Sequence, residues 1–117
     1  MPRVLVHASV QLDEAATTAL LTNLSKAVAL ALDKPEEWVM VVFSPGAVSF
    51  GGQSPAASVD IDSIGKINKA TNTAVTAAVC SQLEAIGIPG SRVYVFFRGA
   101  NFSPCALRCC SFYRIAQ

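Results

Sequence analysis

Four residues repeat along this chain, and the repeat limits its fold more than any other feature. Pro35, Val39, Val41 and Phe43 recur as Pro89, Val93, Val95 and Phe97, each pair 54 residues apart. The pattern before each copy is also shared. Residues 2–10 alternate, with Val4, Val6, Ala8 and Val10 against Arg3, Leu5, His7 and Ser9, the period of a half-buried strand. Asp13 and Glu14 then open a helical run, acidic where the helix dipole favours negative charge. Its apolar stripe is Leu20, Leu24, Ala27, Val28 and Ala31, at spacings of three and four. The run ends near Asp33, because Pro35 restricts the residue before it. Residues 39–43 read as a buried strand and Ser44-Pro45-Gly46 as a turn. Residues 48–50 read as a short strand stopped by Gly51-Gly52.

In the second copy, Val59 and Ile61 alternate with Asp60 and Asp62 over residues 58–63. A helix is expected from about 66 to 86, with Ile67, Thr71, Ala74, Ala78 and Leu83 near one face. Ile88-Pro89-Gly90 closes it, and residues 93–97 form another dense apolar strand. Strands joined by a crossover helix are parallel, with a right-handed connection. Two such units predict an α+β fold: a four-stranded mixed sheet with two helices on one face. The 117 residues then make one domain. Residues 2–54 are the first β-α-β repeat, 55–98 the second, and 99–117 a tail outside the pattern. The other face of the sheet is expected to be apolar and bare. Composition agrees: 52% of residues are hydrophobic and 15% charged, against about 25% charged in ordinary soluble domains. Such a chain is expected to cover its bare face by oligomerising.

Several classes are disfavoured. Nine basic and eight acidic residues leave a net charge of +1, with no basic stripe for nucleic acid. No run approaches about 18 uninterrupted apolar residues, so membrane insertion is not expected. The apolar run after Met1 is too short for a signal-peptide core, which predicts a cytoplasmic product. Cys105 and Cys109 are separated by three residues, but the single histidine, His7, lies far off, so a zinc site is not expected. Reduced thiols are the simpler reading.

Chemistry centres on Pro2. Removal of Met1 would leave a secondary amine at the start of a strand. Burial or a nearby cation would lower its proton affinity and make it a general base near neutral pH. Lys34-Pro35 lies at a helix-to-strand turn, and Phe50-Gly51-Gly52 follows the second strand. Ser63-Ile64-Gly65-Lys66 leads into the second helix, whose start would offer backbone N–H groups to an anion. Arg92-Val93-Tyr94 opens the last strand. Each has a plainer reading: Lys34 as a solvated lysine near a helix C-terminus, Ser63-Ile64-Gly65 as a cap and turn, Tyr94 as core. His7 reads as structural, and Trp38 packs at the start of a strand or at a pocket mouth.

Together, and in this order, these segments resemble the macrophage migration inhibitory factor and D-dopachrome tautomerase family of the tautomerase superfamily, from Pro2 to about Arg98. The resemblance implies a homotrimer whose sheets form a barrel with helices outside and an active site at each subunit interface. It implies a phenylpyruvate- or dopachrome-type keto–enol tautomerase acting on a small aromatic carboxylate. Pro2 would be the base, and Lys34 and the N–H of Ile64 would hold substrate oxygens beside Ser63. Tyr94 and Phe96 would line the pocket, Tyr94 from the neighbouring subunit. No metal or organic cofactor is implied. The alternative is a secreted cytokine-like protein, released without a signal peptide, that engages a cell-surface receptor with weak or vestigial activity. A third reading is a scaffold without catalysis.

The chain departs from that family in three places. Family cytokines carry a Cys-x-x-Cys segment after the Gly-Gly turn, whereas residues 55–59 here hold no thiol, so redox activity is not expected there. Phe96 stands where the family places asparagine, which makes the pocket more apolar. In the tail, Phe112 falls near the family's terminal phenylalanine, but its neighbours do not match.

Overall fold

The structure is a computed structural model and describes residues 2–100, 106–107 and 110–111. Strand β1 (Pro2–Ala8) leads to helix α1 (Glu14–Leu32), a 3-10 turn (Glu36–Trp38) and strand β2 (Met40–Pro45). The second unit is β3 (Ala57–Ile64), α2 (Lys69–Glu84), a 3-10 turn (Gly90–Arg92) and β4 (Val93–Ala100). Two short strands, β5 (Ala106–Leu107) and β6 (Cys110–Ser111), pair antiparallel in the tail.

The main sheet has the order β2-β1-β3-β4. The pairs β1–β2 and β3–β4 are parallel, and the central β1–β3 pair is antiparallel. The expected two-unit mixed sheet is therefore the observed one. Both helices pack on one face. Val4, Val6, Ala8, Val59 and Ile61 meet Leu20, Leu24, Val28, Val75, Val79 and Leu83 in a single core. Alternation fixes this side of each strand, because one residue's slip would turn every side chain to the other face.

Local chemistry explains the boundaries. The Asp13 carboxylate accepts the Ala16 N–H at 2.7 Å and starts α1. Asp33 ends it in the left-handed region (φ 53, ψ 53), and the Lys34 N–H closes on Ala29 O at 3.0 Å. Helix α1 is long and apolar enough to cross a bilayer by length and composition alone. Here its buried stripe is Leu20, Leu24, Val28, Ala29 and Leu32, and that stripe packs in the core.

The chain differs from expectation in three respects. Helix α2 starts at Lys69 rather than near 66. Asn68 caps it by accepting the Thr71 N–H at 3.0 Å, while Thr71 Oγ1 accepts the Asn68 N–H at 3.3 Å. This reciprocal box fixes the first turn downstream of Gly65 and Lys66, whose backbones are left-handed (φ 74 and 63). The buried face is Val75, Val79 and Leu83, and Ala74 is exposed. Residues 48–50 form no strand: Phe50 instead bridges Gln53 across a tight loop, with Gly51 and Gly52 at φ 59 and 77. Finally, the repeat slips by one residue. The caps Asp13 and Asn68, and the core residues Val4 and Val59, are 55 apart, whereas Pro35 and Pro89 are 54 apart.

The bare face is not the continuous apolar surface expected. Arg3, Asp62 and Arg98 are direct cross-strand neighbours on β1, β3 and β4. Asp62 pairs with Arg3 at 2.9 Å and with Arg98 at 2.8 Å, and Arg98 also reaches Asp60 at 3.4 Å. Apolar side chains flank this row: Met40 and Val42 on one edge strand, Tyr94 and Phe96 on the other. The polar half of each alternating strand therefore builds its own ion-pair ladder.

Candidate functional site

Strand β1 opens at Pro2, which is fully buried and paired with Ser63 on β3. Ser63 is also buried, and its hydroxyl donates to Gly65 O at 3.0 Å, tying the end of β3 to the following turn. The next residue, Ile64, ends β3 and is buried as well. Lys34 reaches the same spot from the far side of the sheet order. The left-handed residue Asp33 reverses the chain after α1, and Lys34 Nζ donates to Ile64 O at 2.5 Å. Positions 2, 34, 63 and 64 thus converge at one end of the sheet.

Lys34 and Ile64, each expected to meet a substrate oxygen, also meet each other. The ammonium is docked on the Ile64 carbonyl, and Ile64 lies four residues before the cap of α2. It does not belong to a helix start, so no helix-end field acts through its N–H. An ammonium has three protons, so Lys34 keeps two for other oxygens.

Tyr94 and Phe96 lie elsewhere. Tyr94 is the register partner of Ser58 and Phe96 that of Asp60. At about 3.3 Å per residue, Tyr94 is about 17 Å along β3 from the Pro2 pairing position. Both rings are on the bare face, 61% and 54% exposed. They form an aromatic row with Phe50, whose ring centroid is 5.1 Å from that of Tyr94, itself 6.0 Å from Phe96. A groove of about 200 Å³ runs between Val48, Phe50, Gly51, Ala57, Ser58 and Tyr94. One chain therefore holds two clusters at opposite ends of β3, one basic and half-buried, the other aromatic and open.

Sequence reasoning missed Phe50 as an aromatic wall and Arg92 as its support. The Arg92 guanidinium bonds three backbone carbonyls of residues 50–55 and lies 5.6 Å from the Phe50 ring centroid. The Arg92-Val93-Tyr94 segment marked the position in the sequence but not this role. His7 is an exposed strand residue on the bare face, and Trp38 is half-buried in the first 3-10 turn. Cys80 is a free, half-buried thiol held above its usual range by burial and by Glu84, which makes it a poor nucleophile. Among the described residues no group of three or more His, Cys, Asp or Glu could hold a metal. Cys105, Cys109 and Phe112 lie outside the described residues.

Residues 1–112 match the family model for macrophage migration inhibitory factor. The macrophage migration inhibitory factor of Xenopus tropicalis is 35% identical over 104 residues, covering 86% of this chain and 90% of the frog protein. Among solved structures, the Toxoplasma gondii macrophage migration inhibitory factor superposes with a TM-score of 0.88 at 35% identity, covering 93% of this chain and 98% of that one. A homologue from Prochlorococcus marinus gives 0.87 at 30% identity, covering 94% and 98%.

Proposed function

This chain belongs to the macrophage migration inhibitory factor family, and on that premise we propose that it is a keto–enol tautomerase using Pro2 as general base once Met1 is removed. The observation that carries the reading is the bond from Lys34 Nζ to Ile64 O, one residue from the Ser63 that pairs with Pro2. It draws a cation and the strand's first nitrogen into one buried corner.

The chemistry follows from that corner. A free α-amino group titrates near about 7.7–8.0. Burial and a neighbouring ammonium both disfavour its protonated form, leaving the Pro2 nitrogen unprotonated at neutral pH. It takes a proton from the carbon beside the carbonyl of an aromatic 2-oxo acid. The electron pair moves to the carbonyl oxygen, and Lys34 stabilises the resulting enolate as an oxyanion hole would. Pro2 then returns its proton to that oxygen, which completes the enol and frees the amine again, and the reverse path restores the ketone.

The two clusters, read as half-sites, support a homotrimer. Tyr94 cannot reach its own chain's Pro2 along β3, so the aromatic wall serves a neighbour's base. The bare sheet face, with its exposed Met40, Tyr94 and Phe96, is the surface that such an assembly covers.

The test begins with mass spectrometry of the mature N-terminus. A Met1-free protein should interconvert phenylpyruvate keto and enol forms, and Pro2→Gly should lose at least about a hundredfold in kcat. A Met1-free trimer without that activity overturns the assignment.

A further inference from the structure

Arg92 ends the second 3-10 turn, where the sequence motif places it two residues before Tyr94. Its side chain turns back across the loop that carries Phe50. Nε donates to Pro55 O at 2.5 Å, and one terminal nitrogen donates to Phe50 O at 3.0 Å and Gln53 O at 2.8 Å. The same two carbonyls accept the loop's own bonds, Gln53 N–H to Phe50 O at 3.2 Å and Phe50 N–H to Gln53 O at 2.8 Å. A carbonyl oxygen has two lone pairs, so both sets coexist. The loop thus closes on itself and is held from outside by one planar cation. That cation also lies 5.6 Å from the Phe50 ring centroid, within range of the ring's negative face.

We infer that Arg92 is a positioning residue for substrate specificity: it holds loop 50–55 so that the rings of Phe50 and Tyr94 stay together as the receptor for the aromatic end of the substrate. The inference rests on the tautomerase reading above and adds to it the group that selects the ring. Only an arginine fits this part. Its donors lie in a fixed fork that can span three carbonyls, whereas a lysine offers a single nitrogen. Arg92 touches neither Pro2 nor Lys34, so it acts on binding of the ring and not on the proton transfer.

The experiment compares Arg92→Lys with wild type on phenylpyruvate and on 2-oxohexanoate, an aliphatic 2-oxo acid. Amide hydrogen exchange at residues 51–54 is followed in parallel. In Arg92→Lys, KM for phenylpyruvate should rise about tenfold with kcat within about twofold, as for a lost ground-state contact. KM for 2-oxohexanoate and the pH profile should hardly move, and loop exchange should quicken. Equal losses on both acids, wild-type KM, or unchanged loop exchange would each overturn the inference. Should Arg92→Lys fail to fold, Phe50→Leu removes the ring and leaves the backbone carbonyls to Arg92. It should lose the same discrimination, and retained discrimination overturns the proposal. An inactive wild type with free Pro2 overturns the tautomerase reading and the ring's role in it, while loop exchange still decides whether Arg92 holds the loop.

Discussion

At the scale of single residues, Lys34 and Asp62 show what a charge does in two surroundings. Lys34 is half-buried and aimed at a carbonyl beside Pro2. Lys34→Met should therefore lower kcat by about a hundredfold, the loss typical of one oxyanion-stabilising donor, and steady-state kinetics on phenylpyruvate would show it. Asp62 lies between two arginines on the bare face. Hydrogen bonding to Arg98, then to Arg3, outweighs burial and holds its carboxyl below the ordinary 3.8. A carboxyl lowered on folding stabilises above its unfolded pKa and loses that contribution as pH falls through the native value. Asp62→Asn should thus lower stability by about 1 kcal/mol or less at pH 7, since the arginines are about half exposed. The gap from wild type in thermal melts should close as pH drops below about 4. Pro2 and Lys34 were legible as candidates because their chemistry sits at a chain end and in a side chain, whereas Ile64, a backbone partner, entered only through the family resemblance. Arg92 was not legible, because its partners are backbone carbonyls, and nothing in a string of letters says where a carbonyl points.

At the scale of elements, the strands and the first helix were readable because alternation and capping are local. Val4, Val6 and Ala8 announce the buried side of β1, and Asp13 announces the start of α1. Helix α2 was harder. Its spacing also fits a face through Thr71 and Ala74, whereas Val75, Val79 and Leu83 are the buried residues, and its start depends on a reciprocal pair of bonds between Asn68 and Thr71. Asn68→Ala should cost about 1 kcal/mol, read as a lower urea midpoint with unchanged slope. Leu24→Ala, in the fully buried stripe of α1, should cost about 3–5 kcal/mol through lost burial and the cavity left behind. The bare face was read as apolar, and its ladder of Arg3, Asp60, Asp62 and Arg98 was missed because the pairing needs the β1–β3–β4 register, which is long-range.

At the scale of the whole molecule, the separation of the half-sites gives a sharper test of assembly than mass alone. Pro2→Gly and Tyr94→Ala chains, each weakly active alone, should regain activity when unfolded and refolded together. Random trimers place an intact Pro2 beside an intact neighbouring Tyr94 at about a quarter of sites. Activity no greater than the sum of the two alone would mean that each site is built within one chain.

The one-residue slip between the repeats bears on ancestry. The half-turn that carries β1 onto β3 sets Ala57 where Pro2 stands, and the Pro35–Pro89 spacing sets Ile88 where Lys34 stands. A peptide-bonded residue has no basic nitrogen, so a fused pair of repeats keeps one terminal amine and forfeits its twin. At the matching position Ala57 lines the groove beside Tyr94. Duplication and fusion would halve the number of bases, while the vacated corner would be free to become a wall for another subunit's chemistry.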